Sequence, residues 1–133
     1  MVPGLLEADP AVTGALRIDT GDPGGHAAVR EAFYGDVDEA TAVAAIALLS
    51  TDAPAGVPAE AFTVTDGRYG AIPHTYVTCT RDNTVPIALQ RRFITEIDAV
   101  SQEPTTVVEL DSSHSPFLSQ PAALAAAIAE ASR

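Results

Sequence analysis

Residues 74–80 read HTYVTCT, residues 86–100 read PIALQRRFITEIDAV, and residues 105–110 read TTVVEL. The first and third stretches are β-branched and aromatic runs bounded by turn residues, the composition of strands. Between them Pro86 stands where a helix takes its first residue. Leu89, Phe93 and Ile97 then recur at i, i+4 and i+8, with Ile94 beside them, while Gln90, Arg91 and Glu96 are expected to face water. Residues 117–131 form an Ala-rich closing helix, interrupted near its start by Pro121. Strand, helix, strand, helix is a βαβα unit, and such units build parallel sheets with right-handed crossovers. The expected fold class is therefore α/β, with the parallel unit at the C-terminal end.

Upstream of Pro73 the pattern changes. Residues 50–73 carry Pro54, Gly56, Pro58, Gly67 and Gly70 and read as irregular. Asp36, with Glu39 three residues on, predicts an N-capped helix running to about Leu49. That helix is nearly apolar after Ala40, which implies burial on more than one side. A short helix is expected over residues 26–33 and a short strand over residues 15–19. Pro3-Gly4, Asp9-Pro10 and Asp22-Pro23-Gly24-Gly25 are turn signals.

The 133 residues make one domain. Apolar residues are 47% of them, enough for a core, so disorder is excluded. Eighteen acids face seven bases, a formal net charge of −11, and every base is Arg. The Ala, Gly, Pro and Arg bias is that of a GC-rich genome. A chain this acidic has no electrostatic footing for a phosphate backbone or an anionic membrane, so neither nucleic acid nor membrane is an expected partner. A single cysteine, Cys79, excludes an intramolecular disulfide and a multi-cysteine zinc site. No apolar stretch approaches the roughly 18 residues of a membrane span. The opening MVPGLLEADP lacks the basic region and apolar run of a secretory signal. A soluble, cytoplasmic protein is the expectation.

In a parallel α/β sheet, functional groups gather beyond the carboxyl ends of the strands. Asp82 lies two residues past the first strand and His114 four residues past the second. Adjacent parallel strands would bring both to one edge of the sheet. There a carboxylate can fix the imidazole tautomer and stabilise the imidazolium, and the imidazole can act as general base. The alternative is plainer: a turn aspartate often caps its own backbone, and a loop histidine is often only solvated. His26 reads as a surface residue, His74 as structural and Cys79 as a small buried hydrophobe. Arg91-Arg92 reads as a solvated pair. The histidines lack metal-motif spacing and Gly24-Gly25 is no phosphate loop, so no metal or cofactor is expected.

The stretches RYGAIPHTYVTCTRDNTVPIALQRRFI and VVELDSSHSPFLSQPAAL resemble the C-terminal part of the α/β-hydrolases. The nearest group is the small esterases typified by plant methylesterases, the salicylate-binding esterase and the hydroxynitrile lyases, with bacterial relatives. The resemblance implies that Asp82, in TCTRDNTVP, is the triad acid and that His114, in DSSHSPF, is the triad histidine. Ser112 and Ser113 stand where Gly-Asp or Ala-Asp is more usual. EAFYGDVDEATAVAAIALLS is similar to part of the family's cap, and ALRID to its small hairpin. The resemblance divides the chain into a cap segment with connecting loops, 1–68, and a C-terminal part of the hydrolase core, 69–133.

The family's nucleophile elbow, G-x-S-x-G, occurs nowhere in the 133 residues. The order serine, acid, histidine places that elbow upstream. Ser112, Ser113 and Ser115 sit too close to His114 in the chain to serve, and Ser50, Ser101, Ser119 and Ser132 have no elbow context. The expectation is the back half of an ester hydrolase, inactive by itself, from a truncation or a misassigned start. It would act on a small-molecule ester if complemented by an N-terminal half, and its open sheet edge invites such docking or self-association. A non-catalytic binding or interaction fragment and a hydroxynitrile-lyase-like relative are the alternatives.

Overall fold

The computed structural model describes residues 5–132; the Pro3-Gly4 turn signal lies outside them. The elements in chain order are α1 (Pro10–Thr13), β1 (Ala15–Arg17), α2 (Pro23–Phe33), α3 (Glu39–Ile46), β2 (Asp52–Pro54), α4 (Gly56–Ala59), β3 (Thr75–Cys79), α5 (Ile87–Asp98), β4 (Thr106–Leu110), α6 (Pro116–Ser119) and α7 (Pro121–Ala131).

The C-terminal unit matches the predicted order. β3 and β4 pair in parallel, with Thr75 opposite Thr106 and Cys79 opposite Leu110, and α5 is the crossover between them. The closing helix is two helices rather than one. Gln120 leaves helical geometry before Pro121, which starts α7 afresh.

The N-terminal half departs from the sequence reading in several places, among them the short helices α1 and α4, which form where only turn or irregular structure was expected. Residues 52–54, read as irregular, form β2 and pair antiparallel with β1. The pairing is closed by Arg17 and Asp52, whose side chains meet at 2.7 Å. Helix α2 begins three residues earlier than predicted. The Asp22 carboxylate accepts from the Gly24 and Gly25 amides, and Pro23 occupies the first turn. A side chain at Gly25 would collide with the Asp19 carbonyl, so glycine is required for this close approach. Finally, Asp36 does not cap α3. Asp38 does, accepting from the Thr41 amide at 3.0 Å, and the helix proper ends at Ile46.

One apolar core joins these N-terminal elements. Val29, Ala32 and Ala42 are fully buried and Ile46 nearly so, with Leu5, Ala28, Tyr34 and Val37 around them. Alanines at the α2–α3 contact let the two helices approach closely, and Leu118 from α6 packs against the same cluster. Each fully buried Val or Ile contributes about 1.5–3 kcal/mol.

Candidate active site

The ladder between β3 and β4 continues past the strands. The Thr80 amide donates to the Leu110 carbonyl at 3.0 Å, and the Arg81 amide to the Ser112 carbonyl at 3.0 Å. The second bond comes one residue early for a regular parallel ladder, a slip that shifts the pairing by one and brings Asp82 level with His114. Strand pairing alone thus places the two predicted residues side by side.

They meet directly: His114 Nδ1 and Asp82 Oδ2 are 2.9 Å apart. The other carboxylate oxygen of Asp82 accepts from the Thr84 and Val85 amides, both at 2.8 Å. The two readings of Asp82, backbone cap and histidine partner, both hold, one on each oxygen. The amides fix the carboxylate, and burial shields it: the Asp82 side chain is 7% exposed, while that of His114 is 33% exposed. The imidazole is braced from one side by the edge-on ring of Phe33, centroids 5.3 Å apart. With Nδ1 engaged, Nε2 is left as the nitrogen that can take up or deliver a proton to something outside.

The loop that carries Asp82 is anchored on both flanks. The Asn83 amide group donates to the Glu31 carbonyl at 3.1 Å, and the Thr84 hydroxyl to the Ala32 carbonyl at 2.9 Å. These are carbonyls of the last turn of α2, which have no partners within the helix. On the other flank stands Gln90. Expected to face water, it is buried instead. Its Oε1 accepts from the Cys79 amide at 2.9 Å, and its Nε2 donates to the carbonyls of Cys79, at 2.9 Å, and Val85, at 2.7 Å. In a parallel ladder alternate residues turn their backbone groups away from the partner strand. Cys79 does so here, and the Gln90 amide takes the place of a neighbouring strand at that point. The signal for this lay in the sequence: a Gln one turn into a helix can reach back to the strand end just before it.

An open cleft of about 410 Å³ lies beside the pair, lined by Tyr76, Val77, Phe93, Phe117 and Leu124 along with Asp82 and His114. It borders β3 on the side away from β4, where Thr75 and Val77 turn their backbone groups outward. Burial, reinforced by the Asp82 charge, pushes the Tyr76 phenol above its ordinary value, so it stays neutral.

The remaining candidates have structural surroundings. His74 stacks on Tyr69 at 4.4 Å, and its Nε2 lies 3.1 Å from the Tyr69 carbonyl oxygen. His26 sits half-buried near the start of α2. Cys79 is buried. Arg91 is exposed, and Arg92 pairs with Glu96 at 2.7 Å. Ser112, Ser113 and Ser115 are buried around His114. Among the described residues no cluster of His, Cys, Asp or Glu is suited to a metal ion, and no helix is long and apolar enough to cross a membrane.

Comparison with known proteins gives consistent matches. Residues 1–127 match the sequence model described as the alpha/beta hydrolase family. Over 104 residues the chain is 35% identical to a pyrethroid hydrolase of Sphingobium wenxiniae, a match covering 77% of this chain and 34% of that enzyme. A crystal structure of a pyrethroid hydrolase superposes with a TM-score of 0.63 at 27% identity, covering 96% of this chain and 52% of the other. Polyneuridine aldehyde esterase superposes with a TM-score of 0.68 at 17% identity, covering 95% of this chain and 51% of the other, a likeness of fold alone. The chain thus spans a third of the curated relative and about half of each solved structure.

Proposed function

We propose, from the premise that this chain belongs to the alpha/beta hydrolase family, that it supplies the acid and the general base of a carboxylic-ester hydrolase. The observation that carries this reading is the 2.9 Å contact between Asp82 and His114, held at the carboxyl ends of two parallel strands. The serine belongs to a segment outside residues 1–133, since no G-x-S-x-G occurs within them. In the reaction, His114 takes the serine proton at Nε2 as the hydroxyl attacks the ester carbonyl. Asp82 stabilises the imidazolium so formed. His114 then protonates the leaving alcohol, and in the second half-reaction activates water against the acyl-enzyme.

The relative's name points to esters of the pyrethroid class, and the cleft suits an apolar substituent: Val77, Phe93, Phe117 and Leu124 offer no charge to meet one. Residues 1–68, with α2 and α3, would form the cap over that cleft. Without the serine-bearing segment the chain has a base and no nucleophile, and it is inactive alone.

The test is complementation. The chain is mixed with, or fused behind, the serine-bearing half of the pyrethroid hydrolase, and hydrolysis of p-nitrophenyl butyrate is followed. Turnover is expected only with both parts present, and His114→Ala should lower it about 10³-fold or more. Turnover that survives His114→Ala would overturn the assignment. A stable complex with no turnover would favour a non-catalytic binding role.

A further inference from the structure

We propose that Asp36 is a positioning residue for the Asp82–His114 pair, gripping the residue that precedes each member. The inference rests on the reading of that pair as acid and base. Asp36 lies between α2 and α3, and its side chain is only 9% exposed. One carboxylate oxygen accepts from the Ser113 hydroxyl. The other lies 3.5 Å from the Arg81 guanidinium. Ser113 immediately precedes His114, and Arg81 immediately precedes Asp82. Arg81 also reaches the Asp111 carboxylate at 2.9 Å and the Asp111 carbonyl at 2.6 Å. One carboxylate therefore ties the acid loop and the histidine loop to each other and to the segment that carries α2 and α3.

Capping does not explain Asp36, because Asp38 caps α3. Nor is solvent a substitute partner at Ser113, whose exposure is 2%. Burial pushes the Asp36 carboxyl up, but hydrogen bonds from the Ser113 side chain and backbone and from Ser119, with the Arg81 charge, outweigh it and hold the group below its ordinary value. It is thus an anion at neutral pH, as the contact with Arg81 requires. An asparagine could still accept from Ser113 but would lose the charge attraction to Arg81, whose remaining carboxylate partner is Asp111. The hydrogen bond at stake is short-ranged: a displacement of about 1 Å takes a 2.9 Å contact beyond hydrogen-bonding distance.

The readout is the Nδ1 proton of His114, followed by NMR in the 133-residue chain at mildly acidic pH, where a hydrogen bond from an imidazolium to a carboxylate gives a far-downfield resonance. His114→Ala identifies it by its loss. Asp36→Ala is expected to abolish the resonance in protein that circular dichroism shows to be folded, and Asp36→Asn to shift and weaken it. A folded Asp36→Ala chain with the wild-type resonance would overturn the proposal, since a merely structural residue lowers the unfolding midpoint without moving that signal. If Asp36→Ala does not fold, Ser113→Ala decides. It removes only the hydroxyl, a shifted resonance supports the proposal, and an unchanged one overturns it. A wild-type chain with no such resonance would contradict the acid–histidine reading itself and the inference with it.

Discussion

The two ends of the chain are finished to different degrees. Between α2 and α3 a closed apolar cluster forms, with Val29, Ala32 and Ala42 fully buried, although α3 is buried on one side only and Val43 and Leu48 stay exposed. In the βαβα unit the apolar residues stay open: Phe117 is 58% exposed, Ile128 57% and Val107 49%. Leu89 and Phe93, the face that makes α5 amphipathic, are each more than a third exposed. Yet this open unit holds the acid–histidine pair, and the closed one braces it through Glu31, Ala32 and Asp36. The contrast teaches that the closed region braces the Asp82–His114 pair from one side. The outward side of β3 and the apolar face of α5 stay open among the described residues.

The largest effect should come from the closed region. Ile46→Ala removes a nearly fully buried side chain and is expected to cost about 2–5 kcal/mol, measured by urea denaturation. Gln90→Leu tests the point where the open region has a closure of its own. It strips partners from the Cys79 amide and the Cys79 and Val85 carbonyls, and should cost about 1–3 kcal/mol. A loss of less than about 0.5 kcal/mol would mean that those groups find other partners and that the acid loop does not depend on Gln90.

A smaller, pH-dependent effect should mark the bridge between the regions. The folded Asp36 carboxyl titrates below its unfolded value, which is about 4. Its stabilisation is therefore fully present above that value and fades as pH falls through the lower, folded one. Asp36→Asn should remove this part of the acid loss, seen by comparing denaturation midpoints of the two chains at about pH 5 and pH 3. Asp38 and Asp98, lowered by hydrogen bonds from Thr41 and Thr105, remain in both chains and cancel in the comparison. Equal acid loss in the two chains would remove Asp36 as the source. The smallest effect belongs to Phe117→Ala, expected within about 0.5 kcal/mol because the ring is largely exposed. A cost matching that of Ile46→Ala would show that the open face is covered in solution, and the contrast between the regions would fall.

The C-terminal unit was legible because its signals are local. The β-branched composition of HTYVTCT and TTVVEL, a period of 3.6 in IALQRRFI and the intervening turn residues name each element without reference to any other. Asp82 and His114 could be picked out because parallel pairing sends both strand ends to the same edge. What escaped depends on distant partners. Asp52-Ala-Pro54 has no strand propensity and is a strand only because Ala15–Arg17 pairs with it. Asp36 and Asp38 both precede α3, and the capping-box spacing to Glu39 favours Asp36. The contest is settled by Ser113 and Arg81, 77 and 45 residues away, which claim the Asp36 carboxylate. Gln90 reads as water-facing when helical periodicity alone is considered, and it turns inward because the Cys79 backbone groups point away from β4 and take its amide as partner.

The most direct measurement is intact-mass analysis after a fluorophosphonate probe, applied to the chain alone, to the serine-bearing half of the pyrethroid hydrolase alone, and to the two together. The account predicts no label on residues 1–133 in any sample, and one label on the other half only when a chain with His114 intact is present. A label on any serine within residues 1–133, or equal labelling with His114→Ala, would contradict it.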